Sequence, residues 1–139
     1  MPIPSEERYS KIDMPENTKE RGVKWLAKVE KHDFLAARSY LSLLFPEGKV
    51  NSIIARLRKA PVVPFKAKDI LRASQLPLLD ENNPHVQMDR KKIRKGQGIS
   101  PILLVRNEKV GRVVIADGYH RICAVYEFDE DEAIQCKII

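Results

Sequence analysis

One stretch in the last third of the sequence, where an apolar run passes directly into a helical pattern, constrains the fold most. Val113 to Ala116 consists mainly of β-branched residues, which favour a buried strand. Asp117 and Gly118 follow at once, and apolar residues recur at helical spacing from there to Glu127. Because no long loop separates the two elements, the sequence predicts a helix that folds back onto a sheet, with Asp117 as its N-cap.

Upstream of this junction the sequence predicts both helices and strands, and therefore an α+β fold. Apolar spacing predicts helices over about residues 17–29, 33–44, 46–59, 67–73 and 84–95. Apolar runs rich in β-branched residues predict strands at about 62–65, 102–105, 113–116 and 133–139. The first of these strands contains Pro64, so it is expected at an edge of a small mixed sheet.

The first three helices are expected to form an N-terminal extension, residues 1–60, on an α+β part, residues 61–139. Asn17 or Thr18 would cap the first helix and Asp33 the second. Residues 33–59 are also compatible with a DNA-binding helix-turn-helix, since cations decorate the second helix. The broad apolar stripe and the proline in the turn favour a helical cap that packs on the sheet.

Composition excludes several classes of protein. The chain has 139 residues, of which 43% are hydrophobic and 32% charged, as expected for a globular domain. No apolar run approaches the ~20 residues that span a bilayer, and the N-terminal residues do not resemble a signal peptide. Cys123 and Cys136 lack metal-ligand spacing and are expected to be buried. We therefore expect a cytoplasmic protein with reduced thiols and no membrane partner.

The positive charge of the chain is concentrated in one window. Its formal net charge is +6, and residues 85–112 carry eight of the 25 basic side chains but only two of the 19 acidic ones. A short basic segment followed by an acidic one favours a local anion site over a uniformly basic surface.

The junction after the predicted strand carries groups that suit an anion. A helix start presents backbone N–H groups without intrahelical partners and the positive end of the helix dipole. Gly118 permits close approach to the backbone, and His120 and Arg121 add donors suited to phosphate oxygens. The alternative is an ordinary capped helix with a surface arginine and a histidine that only packs.

Two segments of this sequence resemble the ParB/sulfiredoxin superfamily. They are Ser100–Val105 and, after a predicted hairpin, the motif Asp117-Gly118-Tyr119-His120-Arg121, where sulfiredoxins carry Gly-Gly-Cys-His-Arg and ParB proteins Gly-Glu-Arg-Arg. The resemblance covers about residues 61–139. It implies a sheet whose strand-to-helix junction binds nucleotide phosphates, with ATP or CTP as the nucleotide.

By this resemblance Gly118, Tyr119, His120 and Arg121 would bind phosphate. If the protein is an enzyme, phosphoryl transfer or nucleotide hydrolysis is the expected class, with His120 and Asp117 as the catalytic residues. Asp117 would also be a candidate Mg²⁺ ligand, although a capping role is favoured.

The motif also differs from the corresponding motifs of sulfiredoxins and of ParB proteins. Tyr119 stands where sulfiredoxins have their catalytic cysteine, and a phenol cannot form the thiol-linked intermediate of sulfinic acid repair. Gly118 replaces the glutamate of the ParB box, and a counterpart of the ParB helix-turn-helix is not expected. A sulfiredoxin activity is therefore not expected, and a structural or regulatory domain with a degenerate pocket is a further alternative.

A basic cluster precedes the junction and has two interpretations. Lys91, Lys92, Arg94 and Lys95, with Lys68 from an earlier helix, would form the rim of the phosphate pocket. Alternatively, the basic cluster at residues 90–95 would bind nucleic acid. The alternative is a solvated helix face whose last-turn cations complement the helix dipole. His32 and His85 have no partners at metal-ligand spacing and are expected at the surface.

Overall fold

The computed structural model describes residues 22–139. These residues form an α+β fold, as predicted, with five helices and a four-stranded mixed sheet. The helices are α1 (Lys31–Leu41), α2 (Glu47–Lys59), α3 (Ala67–Ser74), α4 (Pro84–Arg94) and α5 (Tyr119–Phe128). The strands are β1 (Val63–Lys66), β2 (Ile102–Asn107), β3 (Arg112–Asp117) and β4 (Ala133–Ile138).

The sheet has the strand order β1-β4-β2-β3. β2 and β3 form an antiparallel hairpin, β4 lies parallel to β2, and β1 pairs antiparallel with β4. The proline-containing strand β1 is an edge strand, as expected, since Pro64 cannot donate to a second neighbour. β3 forms the other edge, and its last residue, Asp117, leads directly into α5.

Helices cover both faces of the sheet, and the side chains of β2 alternate between two cores. Ile102 and Leu104 face the core that α3, α4 and α5 complete. Leu103 and Val105 face the core formed with α1 and α2. The predicted apolar stripe of α2 is buried in this second core, and its members are Val50, Ile53, Ile54 and Leu57.

The prediction of a first helix over residues 17–29 is wrong for the part that the structure describes. Residues 23–29 are not helical: the N–H of Leu26 donates to the carbonyl of Ile99 at 2.9 Å, and the N–H of Ile99 donates to the carbonyl of Lys24 at 3.0 Å. The expected caps Asn17 and Thr18 lie outside the described residues. Hydrogen bonds to a segment distant in sequence therefore satisfy part of this backbone. Leu26 remains 37% exposed, so the apolar residues at helical spacing do not form a buried helix face.

The second predicted helix starts and ends earlier than expected. α1 begins at Lys31 with Glu30 as its N-cap, so Asp33 lies in the first turn rather than at the cap. Leu44 lies beyond the end of α1 and is 48% exposed. None of the helices in the described part of the chain is both long enough and apolar enough to cross a bilayer.

Candidate functional site

Gly118 is the residue that allows β3 to turn into α5. It is the N-cap of α5 and has a left-handed φ of 107°, a conformation that strains residues with a Cβ. A Cβ at this position would lie 2.4 Å from Cδ1 of Ile102 and 3.0 Å from Nη2 of Arg121. The glycine is therefore required by the conformation and the packing of the junction.

Asp117 does not cap α5, which corrects the sequence-based expectation. No side chain caps this helix, and the Asp117 carboxylate instead accepts a hydrogen bond from Nη2 of Arg121 at 3.0 Å. The same Nη2 donates to Asp33 of α1 at 3.2 Å. The side chains of Asp33, Arg121 and Asp117 are only 4%, 17% and 17% exposed. One guanidinium thus joins two carboxylates from distant parts of the chain.

In this Asp33–Arg121–Asp117 triad, the ion pairs limit the ability of Arg121 to bind phosphate and of Asp117 to bind a metal ion. Burial raises the pKa of Asp117, and the neighbouring Asp33 raises it further, whereas Arg121 opposes the shift. Because the Arg121 Nη2 already bonds two carboxylates, it serves to hold α1, β3 and α5 together. The arrangement around Asp117 does not fit a magnesium ion, since the guanidinium occupies the place of a cation at 3.0 Å.

His120 lies in the first turn of α5 and faces helix α4. Its ring centroid is 4.8 Å from that of His85 near the start of α4. Burial, followed by the charge of His85, lowers the pKa of His120, while Asp89 opposes the shift. His120 is therefore neutral at pH 7 and half-buried. An imidazole in this state can donate or accept one hydrogen bond at each nitrogen, as its tautomer dictates.

Asp89 gives this side of the site an acidic partner. Burial raises its pKa, and the charges of Arg121, Lys92, His120 and His85 act in the opposite direction. Asp89 thus lies within electrostatic range of both histidines. The two imidazoles and this carboxyl group form a titratable cluster where α4 packs on α5.

Tyr119 and Lys68 form hydrogen bonds with groups outside this cluster, although the Tyr119 ring centroid lies 6.0 Å from that of His120. The Tyr119 hydroxyl donates to the carbonyl of Pro77, which fixes the segment between α3 and α4. Lys68 lines a groove of about 650 Å³ together with Arg72 and Tyr126. Lys68 Nζ lies 2.7 Å from Oδ1 of Asp131, and this hydrogen bond raises the pKa of the lysine. The structure places Lys68 beside Asp131, in the segment between α5 and β4, and its role at a phosphate pocket stays a prediction.

The predicted basic cluster is spread over more than one side of α4. Lys91 and Arg94 line a cavity of about 500 Å³ along that helix. Lys92 acts instead on the cluster near α5, where its charge opposes the rise in the pKa of Asp89. Lys95 follows the last residue of α4 as its C-cap. Binding of nucleic acid by these cations stays a prediction.

The two cysteines are buried. Burial raises the pKa of Cys123 to about 11 and that of Cys136 to about 12, so both are thiols at neutral pH. The Leu79 N–H approaches the Cys123 Sγ at 3.5 Å. Among residues 22–139 no group of three or more histidine, cysteine or acidic side chains is arranged to hold a metal ion.

Three residues of the site, Asp33, His85 and Asp89, were not expected from the sequence. Asp33 was assigned to a helix cap, and His85 to the exposed surface without any role; His85 is exposed, but it contacts His120. A signal for part of this was present, since His85, Asp89 and Lys92 are spaced i, i+4, i+7 and share one face of a helix. No comparable signal linked Asp33 to Arg121.

Comparisons with protein-family models, with curated proteins and with solved structures found no match for this chain. The likeness to the ParB/sulfiredoxin superfamily therefore rests on the motif residues alone.

Proposed function

We propose that the protein binds a nucleotide, ATP or CTP, through its phosphates at the start of α5, with His120 as the ligand from the side chains. One observation carries the proposal: His120 lies half-buried in the first turn of an uncapped helix, opposite His85 at 4.8 Å. First-turn N–H groups lack intrahelical partners and favour anions. Lys92 of α4 contributes a positive charge on the same side.

Arg121 is a positioning residue in this proposal. Its guanidinium balances one of the two carboxylates at 3.0 and 3.2 Å and keeps α5 aligned with β3. The negative charge of the second carboxylate is not balanced and repels a phosphate. The affinity for phosphate therefore depends on His120 and Lys92. If hydrolysis or phosphoryl transfer follows binding, His120 is the group placed to hold or move the proton, with Asp89 across the cluster.

A panel of nucleotides tests the proposal by thermal shift and titration calorimetry. ATP or CTP is expected to raise the Tm of the wild-type protein. His120→Ala is expected to weaken that binding about tenfold, the equivalent of ~1.4 kcal/mol for a charge-assisted hydrogen bond. Gln87→Ala, on an exposed part of α4, serves as the control. No response to any nucleotide, or full binding by His120→Ala, would show that the proposal is wrong.

The affinity for phosphate is expected to rise as the pH falls, because only a protonated His120 is a cationic ligand. The pKa of free His120 lies below its usual 6.5, and a bound phosphate raises it. The contribution of His120 is therefore complete below the pKa of the free protein and is lost as the pH rises through the pKa of the complex.

Calorimetric titrations between about pH 5 and pH 8 measure this dependence across the range in which histidines titrate. His120→Gln provides the reference, since it retains a polar side chain and reports the protonation of the ligand itself. Identical pH profiles for the wild type and His120→Gln would contradict a phosphate contact by this residue.

A further inference from the structure

A second candidate site lies on the sheet face that carries α1 and α2. A cavity of about 380 Å³ opens between the segment before α1, the end of α2 and strand β4. This volume is within the range of small-molecule sites. The residues of the α5 site are absent from its lining among the described residues, so it is independent of the function proposed above.

Three cationic residues line this cavity. Lys137 projects from β4, and its Nζ donates to the carbonyl of Arg58 at 2.8 Å, at the end of α2. The Arg58 guanidinium lies 4.6 Å from the ring centroid of Phe34, and the Lys137 Nζ lies 5.9 Å from it. Lys28, from the segment before α1, is the third cation. Among the described residues the lining includes no carboxylate.

The remaining wall is apolar. Ala27, Val29 and Val62 line the cavity, and Val62 is 37% exposed. Lys137 is half-buried, and burial lowers the pKa of its ammonium group. Two donor positions of the ammonium are left after the bond to Arg58, and an anion in the cavity can accept from them.

From this combination we infer a binding site for a small amphipathic anion, an organic carboxylate with an apolar chain or ring. The carboxylate would accept hydrogen bonds from Lys137 and Arg58, and the apolar body would lie against Val29 and Val62. A cavity with cations alone would favour a compact, highly charged anion, whereas apolar walls alone would not select charge.

Octanoate is the probe, and binding to the whole chain is followed by titration calorimetry. Octanoate is expected to bind at least tenfold more tightly than octanol, which lacks the charge, and than acetate, which lacks the apolar chain. Octylamine, with the opposite charge, is expected not to bind. Equal affinities for octanoate and octanol, or no binding of octanoate, would overturn the inference.

Three variants locate the site. Arg58→Met and Lys28→Glu change exposed side chains, so both are expected to fold, and Lys137→Met removes the half-buried cation. Each is expected to weaken octanoate binding severalfold. Lys59→Met, an exposed lysine at the end of α2 outside the lining, is the matched control. Equal affinity for octanoate in Arg58→Met, Lys28→Glu and the control would overturn the inference. His120→Ala, which changes the other site, is expected to bind octanoate as the wild type does.

Discussion

Replacing Arg121 with methionine is expected to lower the free energy of unfolding by about 3–5 kcal/mol, the cost of removing one partner from a buried ion pair. Arg121 is the shared partner of Asp33 and Asp117, and Asp33 is only 2% exposed as a residue. Without the guanidinium, the Asp117 carboxylate loses its cationic partner, and Asp33 retains only the exposed His32, whose Nε2 lies 3.2 Å from its Oδ1. Urea denaturation at neutral pH measures the loss.

The pH dependence distinguishes this electrostatic cause from simple loss of packing. In Arg121→Met the buried Asp117 carboxyl group loses the charge that opposes the rise in its pKa, so its pKa lies further above that of the unfolded chain. The variant should therefore regain stability relative to the wild type as the pH falls. Asp33→Asn combined with Asp117→Asn in the Arg121→Met background should recover part of the loss. If the free energy of unfolding of Arg121→Met lies within about 1 kcal/mol of the wild-type value, the range of an exposed ion pair, the role of the triad is contradicted.

Replacing Gly118 with alanine is expected to destabilise the fold by about 2–6 kcal/mol, because backbone strain and overpacking each cost about 1–3 kcal/mol. The strain arises from the φ of 107°, and the overpacking from the 2.4 Å approach of the new Cβ to Cδ1 of Ile102. Denaturant titration measures the total. Ile102→Val removes the closest atom and should partly rescue Gly118→Ala.

Two other glycines separate the contributions. Gly111 has a φ of 64°, but a Cβ added there would meet no atom within 4 Å, so Gly111→Ala reports conformational strain alone. Gly48 lies in α2 with open space around it and no left-handed φ, so Gly48→Ala should stabilise the protein by about 0.5–1 kcal/mol. If Gly118→Ala costs no more than Gly111→Ala, the contact with Ile102 is not limiting.

The candidate site was only partly predictable from the sequence. The motif from Asp117 to Arg121 located the strand-to-helix junction, because a change from β-branched to helical spacing is a local signal. The same motif did not reveal that Arg121 bonds Asp33, which precedes it by 88 positions. Nor did it reveal that His85 faces His120, because that contact depends on how α4 packs against α5.

Local sequence patterns were sufficient to predict the elements whose apolar residues are buried as expected. The stripe of α2, the edge position of β1 and the β2–β3 hairpin follow from spacing and from the missing N–H of Pro64. The segment 23–29 shows the limit of such patterns, since its helical spacing is overridden by hydrogen bonds to Ile99, far along the chain. Periodicity describes which face a segment could bury, but the partner that covers it, and the charges brought together there, are set by packing between segments distant in sequence.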